Sequence, residues 1–293
     1  MRANPYQFNA FAHAIREGSF SRAAIRMGIS QSAVSQHIAK LERETGAKLL
    51  LRRADGLVLT KVGQEFYELA DRLATLDALI EEKIEGYAKM SQGYLSIIAN
   101  APRPALEFIA RFQRVYPDIE IDFTLHDWTG AMALLRNRQV DIGIVTEPDR
   151  IGACVTQDVG STRYVAYVPR DHPFASQSAI SLSEFAAETV LIPEEGSFTA
   201  RILQEKFQAA EVTLQRRIRT TTFPVMKEAI LHGVGIGIFL ADSAFPDANL
   251  TTVRITEMPE AYQTQAVCPQ DKRDLSVVKS FFDVLPPFAG ERI

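Results

Sequence analysis

The chain has 293 residues, 46% of them hydrophobic and 23% charged, close to the average for soluble globular proteins. With 16 Gly and 14 Pro it is neither collagen-like nor low-complexity, and its length is a loose prior for two domains with cores that need no disulfide or metal staple. The net charge of −4 divides unevenly: residues 1–61 hold ten Lys/Arg against four acids, +6, and the remainder is −10, so only the head suits a polyanion, although chance clustering of solvated charge gives the same count.

Phe8, Phe11 and Ile15 mark a first amphipathic helix ending near Gly18. Ser19 or Ser21 can cap a short helix over 22–27, whose Ala23 and Ala24 permit close packing. Gly28-Ile29-Ser30 makes a tight turn. A third helix is expected from Gln31 to Glu44, with Val34, Ile38 and Leu41 on its buried face. Ser32, Gln36 and Lys40 project from the other face, and Ser30, Gln31 and Ser35 stand near its exposed start. A short helix, a Gly turn and a helix with a polar outer face form a helix-turn-helix, its second member able to enter a major groove. Gln offers adenine a bidentate edge, and Ser can bond either partner. Leu49–Arg53 and Leu57–Thr60 around Ala54-Asp55-Gly56 predict a hairpin. Beside a helix-turn-helix this is a wing, with Arg52 and Arg53 placed for phosphates or a minor groove. A small helical bundle without a DNA role is the competing interpretation.

This head resembles the winged helix-turn-helix of LysR-type transcriptional regulators. The likeness rests on Glu17–Ala24, Ser30–Ile38, Leu41-Glu42, Gly46, Leu49, Arg52, Leu59-Thr60 and Gly63, and it spans residues 5 to about 65 without a gap. Two departures touch packing or helix start and no polar contact: Gln31-Ser32 stands where the family usually has Gln-Pro, and Leu50-Leu51 where it usually has Leu-Phe.

From Thr60 the apolar positions Val62, Phe66, Leu69, Leu73, Leu76, Ile80, Ile84 and Tyr87 follow steps of three and four. That predicts a long helix with a coiled-coil-like seam. The resemblance implies a linker helix that dimerises the chain, so two heads would sit about one DNA turn or a multiple apart on a partly palindromic site; dimer or tetramer stays open.

The body alternates. Strands are expected at 94–99, 119–125 and 140–145, with helices at 104–116 and 129–138 between them, the order of a parallel sheet. A second unit has strands at 164–168, 189–192, 217–221 and 236–240 and helices at 199–210 and 224–232. A strand at 263–267 and a helix at 275–285 close the chain. The resemblance implies an α/β fold with an N-terminal winged helix-turn-helix, a long linker helix and a two-lobed, periplasmic-binding-protein-like effector domain. The divisions expected are 1–60, 61–90 and 91–293, with lobe I about 91–160 and 263–293, lobe II about 161–262, and crossings near Gly160 and Tyr262.

Ligands of open α/β sheets sit beyond the carboxyl ends of strands. Those loops carry Pro102, Arg103, Trp128, Thr129 and Thr146, and the second lobe adds Ser197, Phe198 and Thr199 before a helix and Phe223 before another. Free N–H groups at a helix start favour an anion. A guanidinium at Arg103 suits a carboxylate, phosphonate or sulfonate, so a small anionic effector between Arg103 and Ser197–Thr199 is expected. A solvated Arg103, a purely capping Ser197 and packing roles for Trp128 and Phe223 compete with this.

No enzyme chemistry is indicated. The five His residues form no HExxH or other metal spacing, and neither Cys154 nor Cys268 has a ligand set, so no metal, catalytic residue or cofactor is expected. There is no GxSxG elbow and no phosphate loop, and the glycines at 233–237 lead into a strand rather than follow one. No apolar run approaches the roughly 18 residues of a membrane span, no signal peptide precedes the head, and the two cysteines fit a reducing cytoplasm. The sequence thus points to an effector-responsive regulator of transcription whose partners are double-stranded DNA, a second copy of itself and RNA polymerase, with no membrane. The alternative is an α/β solute-binding or enzymatic protein with a basic macromolecule-binding head.

Overall fold

The computed structural model describes residues 4–53, 56–85, 93–193, 197–220, 223–243 and 247–286. Helix α1 (Pro5–Arg16) opens on a capping box in which Asn4 Oδ1 and Gln7 Oε1 each accept a backbone N–H. Helix α2 (Phe20–Arg26) starts two residues before Arg22; Ser19 stands at its N-cap without a side-chain bond, because burial of Phe20 fixes this helix start instead. Gly28 takes φ +64° in the turn, a left-handed conformation that a Cβ would strain. Helix α3 (Gln31–Thr45) is capped by Ser30 Oγ, which accepts from the Ala33 N–H at 3.2 Å, and stops at Gly46. Val34, Ile38 and Leu41 are buried. Strands β1 (Leu50–Arg53) and β2 (Gly56–Leu59) pair antiparallel from Leu50↔Leu59 to Arg53↔Gly56; the expected turn residues Ala54 and Asp55 lie outside the described residues.

Helix α4 (Lys61–Glu85) has two faces. Gly63, Tyr67, Ala70, Asp71, Ala74 and Thr75 pack onto their own chain. At Gly63 any Cβ would fall 1.8 Å from the Leu49 carbonyl oxygen, so this helix can meet the start of β1 only through glycine. Part of the expected apolar seam lies on the other face: Leu69, Leu76, Ile80 and Ile84 are 62, 54, 49 and 79% exposed, whereas Phe66 packs on the head's own core and Leu73 is half-buried. Tyr87 lies outside the described residues.

Lobe I opens with β3 (Gly93–Ala99), α5 (Pro102–Val115), β4 (Ile119–Leu125), α6 (Trp128–Arg136) and β5 (Ile142–Thr146), and β3 pairs parallel with both β4 and β5. The next strand, β6 (Cys154–Pro169), is one continuous element, where the sequence predicts a strand only from Tyr164. Its first half is polar and partly exposed, so it carries no burial pattern to read. Lobe II follows with β7 (Ala179–Ile180), α7 (Leu182–Ala186), β8 (Thr189–Ile192), α8 (Phe198–Ala209), β9 (Arg216–Arg219), α9 (Phe223–Leu231), β10 (Ile236–Leu240) and β11 (Leu250–Ile255). The chain returns along β12 (Ala261–Pro269) and ends in α10 (Ser276–Asp283). The short β7 and α7 and the partly exposed β11 have no clear sequence period and were not expected. Sheet order is β4-β3-β5-β12-β6-β10-β8-β9, with β11 beside β6 and β7. Strands β6 and β12 pair antiparallel from Ala261↔Arg163 to Pro269↔Cys154, with an irregularity between Thr264 and Gln265. They thread both lobes; Gly160, paired with Thr264, sits beside that irregularity, whereas Tyr262, paired with Thr162, lies near one end of the paired stretch.

One charged cluster joins head, linker and lobe I. Asp71 of α4 is fully buried. Its Oδ1 accepts from Arg16 Nε of α1 at 2.5 Å, and its Oδ2 accepts from Arg138 Nε of lobe I at 2.7 Å. Lys272 Nζ lies 3.7 Å from Asp71 and donates to Asp141 at 2.9 Å, while the Arg138 guanidinium grips Asp271 with two bonds. Three cations thus meet three carboxylates. Burial alone would push the Asp71 carboxyl up; Lys272, Arg16 and Arg138 reverse this and hold it well below the usual carboxylate range. Asp141 is lowered too, against its own burial, by Lys272 and Arg16. Nearby, burial first and then the Arg16 and Arg26 charges bring His13 down from 6.5 to about 4.

Removing one member of a buried cluster leaves unpaired charge behind. Asp71→Asn is expected to cost about 3–5 kcal/mol in chemical denaturation, whereas Glu107→Gln, which breaks an exposed pair with Arg111, should change stability by less than about 1 kcal/mol. His13 has a depressed folded-state pKa, so the unfolded chain takes up a proton that the folded chain refuses. Stability should therefore fall as pH drops from about 6.5 toward 4, and His13→Gln should flatten that part of the profile. The contributions of Asp71 and Asp141 go only at lower pH, beneath the ordinary carboxyl value of 3.8.

Candidate DNA-contact face and effector cleft

Most of the head's expected contact residues are exposed. Ser30, Gln31, Ser32, Gln36 and Lys40 are exposed along α3, Ser35 is half-buried, and Arg52 and Arg53 are exposed on β1. Local bonds hold part of this face in place. Ser30 Oγ and Ser32 Oγ are 2.8 Å apart, and Ser21 Oγ donates to Gln31 Oε1 at 3.0 Å. That bond occupies the Gln31 acceptor and leaves its amide donors outward. The Arg52 guanidinium stacks 4.4 Å over Phe20, so one wing cation is anchored on the head's own core; among the described residues Arg53 makes no such ring contact. Ser21 was not among the expected contacts; its hydroxyl reaches the recognition helix through the turn, a proximity that spacing along the chain does not reveal.

The second site lies between the lobes. Trp128 starts α6, where Asp127 Oδ1 caps the helix by accepting the Gly130 N–H. Its indole N–H donates to the Thr146 and Glu147 carbonyls at 3.1 and 3.3 Å. Across the cleft Ser197 caps α8 by accepting the Ala200 N–H, and Phe198 stacks on Trp128 with ring centroids 5.7 Å apart. Arg201, one turn further on, lies 4.7 Å from the Trp128 ring centre, a cation–π contact from an exposed guanidinium. Thr199 is buried, its hydroxyl 3.0 Å from Tyr164 Oη. Phe223 is buried against Tyr167 and Phe239.

These elements enclose a small cavity of about 50 Å³ lined by Pro102, Trp128, Ser197, Phe198, Thr199 and Phe223 of the expected set, about the room of a carboxylate-sized group. Asn100, His126 and Phe239 line it too; Asn100 Oδ1 also accepts from the Thr146 N–H. Three expected residues are not among its lining. Thr146 is buried, with its hydroxyl 3.1 Å from that of Thr264. Thr129 is exposed on the first turn of α6. Arg103 falls inside α5, because that helix begins at Pro102 rather than Pro104, and its charge acts on Asp242 of lobe II. Burial raises the Asp242 carboxyl, and the Thr162 hydroxyl bond and Arg103 oppose that rise. Arg201 was missed by sequence reasoning, although its place one turn after Phe198 is a helical signal.

Residues 91–288 match the family described as the LysR substrate binding domain, and residues 6–64 match the bacterial regulatory helix-turn-helix protein, lysR family. The chain is 27% identical to the RuBisCO operon transcriptional regulator of Allochromatium vinosum over 93% of this chain and 92% of that one. A full-length OxyR variant from Pseudomonas aeruginosa has the same fold, with TM-score 0.76, 17% identity, and coverage of 97% of this chain and 98% of the other. The CcmR regulatory domain of Synechocystis PCC6803, solved in complex with 2-PG, is 25% identical with TM-score 0.57, covering 66% of this chain and 95% of that domain.

On a site selected from random duplexes, Gln31→Ala should lose about 1–3 kcal/mol of discrimination at one base position. Arg53→Ala should weaken all sequences alike and reduce the salt slope by about 1. Competition binding at two salt concentrations checks both, and equal loss on every sequence for Gln31→Ala would remove it from the base-reading set.

Proposed function

The chain belongs to the LysR family of transcriptional regulators, and we propose on that premise that it is a homo-oligomeric, cytoplasmic regulator that answers a small anionic metabolite. DNA-binding regulation through an effector-binding domain is the family's function, and the proteins it matches are regulators, not enzymes. Among the described residues no helix is long and apolar enough to cross a membrane. We assign the head to 1–60, the linker to 61–90 and the effector domain to 91 onward, a reading supported by the start of α4 at Lys61 and of β3 at Gly93. The exposed seam of α4 supports pairing with a second copy. Two heads so joined would read half-sites about one turn apart, and RNA polymerase is the partner through which such a regulator acts.

In the head, Ser30, Gln31, Ser32, Ser35, Gln36 and Lys40 face the major groove and Arg52 and Arg53 the backbone. In the body, the effector lies in the lobe cleft. One observation carries this: the carboxyl ends of β3 and β4 in lobe I and the start of α8 in lobe II converge on a single cavity. Ser197, Thr199 and the first N–H groups of α8 favour an anion; Arg201 stands against the Trp128 wall, and Arg103, outside the cavity's lining, adds positive charge from the first turn of α5. The complex of the CcmR regulatory domain with 2-PG supports a small ligand in this kind of domain. A ligand larger than the cavity must part Trp128 from Phe198, and that gives it the differential affinity for two lobe arrangements that a switch requires.

A thermal-shift panel of 2-PG, carboxylates, phosphonates and sulfonates tests this. At 100 times its Kd a ligand adds about 2.7 kcal/mol of stability. Arg201→Ala or Arg103→Ala should weaken the hit by about tenfold. If no anion moves the melting temperature, the anionic effector is wrong.

A further inference from the structure

The two glutamines of α3 are not chemically alike. Both Gln31 and Gln36 are exposed. Among the described residues the Gln36 side chain has no hydrogen-bond partner, so its amide can turn to offer one donor and one acceptor. Adenine needs that pair for its N7 and its N6 amino group. Gln31 lacks this freedom, because its Oε1 already accepts from Ser21 Oγ at 3.0 Å. Its Nε2 hydrogens have no partner among the described residues.

The fold holds Ser21 and Gln31 within reach of each other. Ser21 stands in the first turn of α2, and Gln31 is the first residue of α3. Phe20, Ala23 and Ala24 of α2 share one buried core with Val34 and Ile38 of α3. The turn between the helices is tied by the Ile29 N–H, which donates to the Ala24 carbonyl at 3.0 Å. Ser19 and Ser30 occupy the two N-caps, so the Ser21 hydroxyl is not needed for capping. When DNA covers this face and water leaves, a bond between two fixed partners gains strength.

A base edge therefore meets two N–H donors at Gln31, with the oxygen drawn toward α2. In the major groove guanine presents two acceptors, O6 and N7, and can answer both hydrogens. Adenine sets an amino donor beside its N7, thymine has the single acceptor O4, and cytosine shows only a donor. The simple match of glutamine with adenine thus fits Gln36 and not Gln31.

We propose that Ser21 is a positioning residue for base recognition: by holding the Gln31 oxygen it makes Gln31 a reader of acceptors that selects guanine over adenine at the base pair it meets. This rests on the docking of α3 in the major groove proposed above, and it names what one residue of that face reads.

Selection of bound sites from random duplexes, with the full chain and its variants, tests it. Gln31→Ala identifies the position at which discrimination falls. The unaltered chain should favour guanine over adenine there by at least about fivefold. Ser21→Ala frees the oxygen and should bring that ratio to about one or below, with no change at the position identified in the same way by Gln36→Ala. Ser21→Thr keeps the hydroxyl and should keep the guanine preference. Ser21 is exposed, so the melting temperature of Ser21→Ala should match that of the unaltered chain. An unchanged ratio in Ser21→Ala would overturn the role of Ser21 and leave the docking standing. So would a preference of the unaltered chain for adenine or cytosine, since Ser21 would then be accepting from Gln31 and leaving its oxygen to the base. A Gln31→Ala variant that changes no position would overturn both.

Discussion

Asp71 is where the molecule is held together. A carboxylate with no solvent exposure is strongly unfavourable unless charge and hydrogen bonds surround it, and here those partners come from three separate parts of the chain. Arg16 belongs to the head, Arg138 and Lys272 to lobe I, and Asp71 itself to the linker. No partial arrangement satisfies it: if the head leaves, Asp71 loses Arg16, and if the lobe leaves, it loses Arg138 and Lys272. The cluster therefore specifies the relative placement of the three parts more than it adds stability, since an apolar replacement of equal volume could hold the same surfaces without demanding one geometry.

That placement determines which surfaces remain for function. Helix α4 spends its small and polar face on its own chain, which leaves Leu69, Leu76, Ile80 and Ile84 outward. The recognition helix and wing stay outward too. In the body, β6 and β12 run through both lobes as a paired ribbon, so movement between the lobes must be absorbed near the middle of that pair, where its register shifts. On one side of the ribbon Trp128 and Phe198 close the lobes with a stacked contact. A stack of this kind is worth only about 0.5–1.5 kcal/mol beyond its buried area, small enough for a ligand to compete with.

Much of this was legible in the sequence, for identifiable reasons. The head declares itself through Val34, Ile38 and Leu41 at helical spacing, glycines at turn positions and an excess of basic residues. Strands such as 119–125, 189–192 and 236–240 carry enough apolar or alternating character to be placed to the residue. The linker was legible on one face only. Its apolar repeat falls largely on the outward seam, while the inward face of Tyr67, Ala70, Asp71, Ala74 and Thr75 has no hydrophobic period, and an acid on a helix reads as solvated until its partners from distant segments are seen. The first half of β6 was invisible because it is polar and paired by backbone alone. Arg103 was placed in a loop because Pro104 looked like the helix start; Pro102 holds that position instead, and Arg103 is not among the residues that line the cavity.

A ligand in the cleft between the lobes can shift lobe II against lobe I, and that shift reaches the head through lobe I's attachments: Arg138 and Lys272 on Asp71, the bonds from Ser276 to Glu82, and Arg26 over Tyr94. Of these, the cluster around Asp71 is the one whose carboxylate is fully buried. A featureless apolar contact tolerates small slips, whereas a buried carboxylate that loses its partners carries a large desolvation cost, so the joint resists partial displacement.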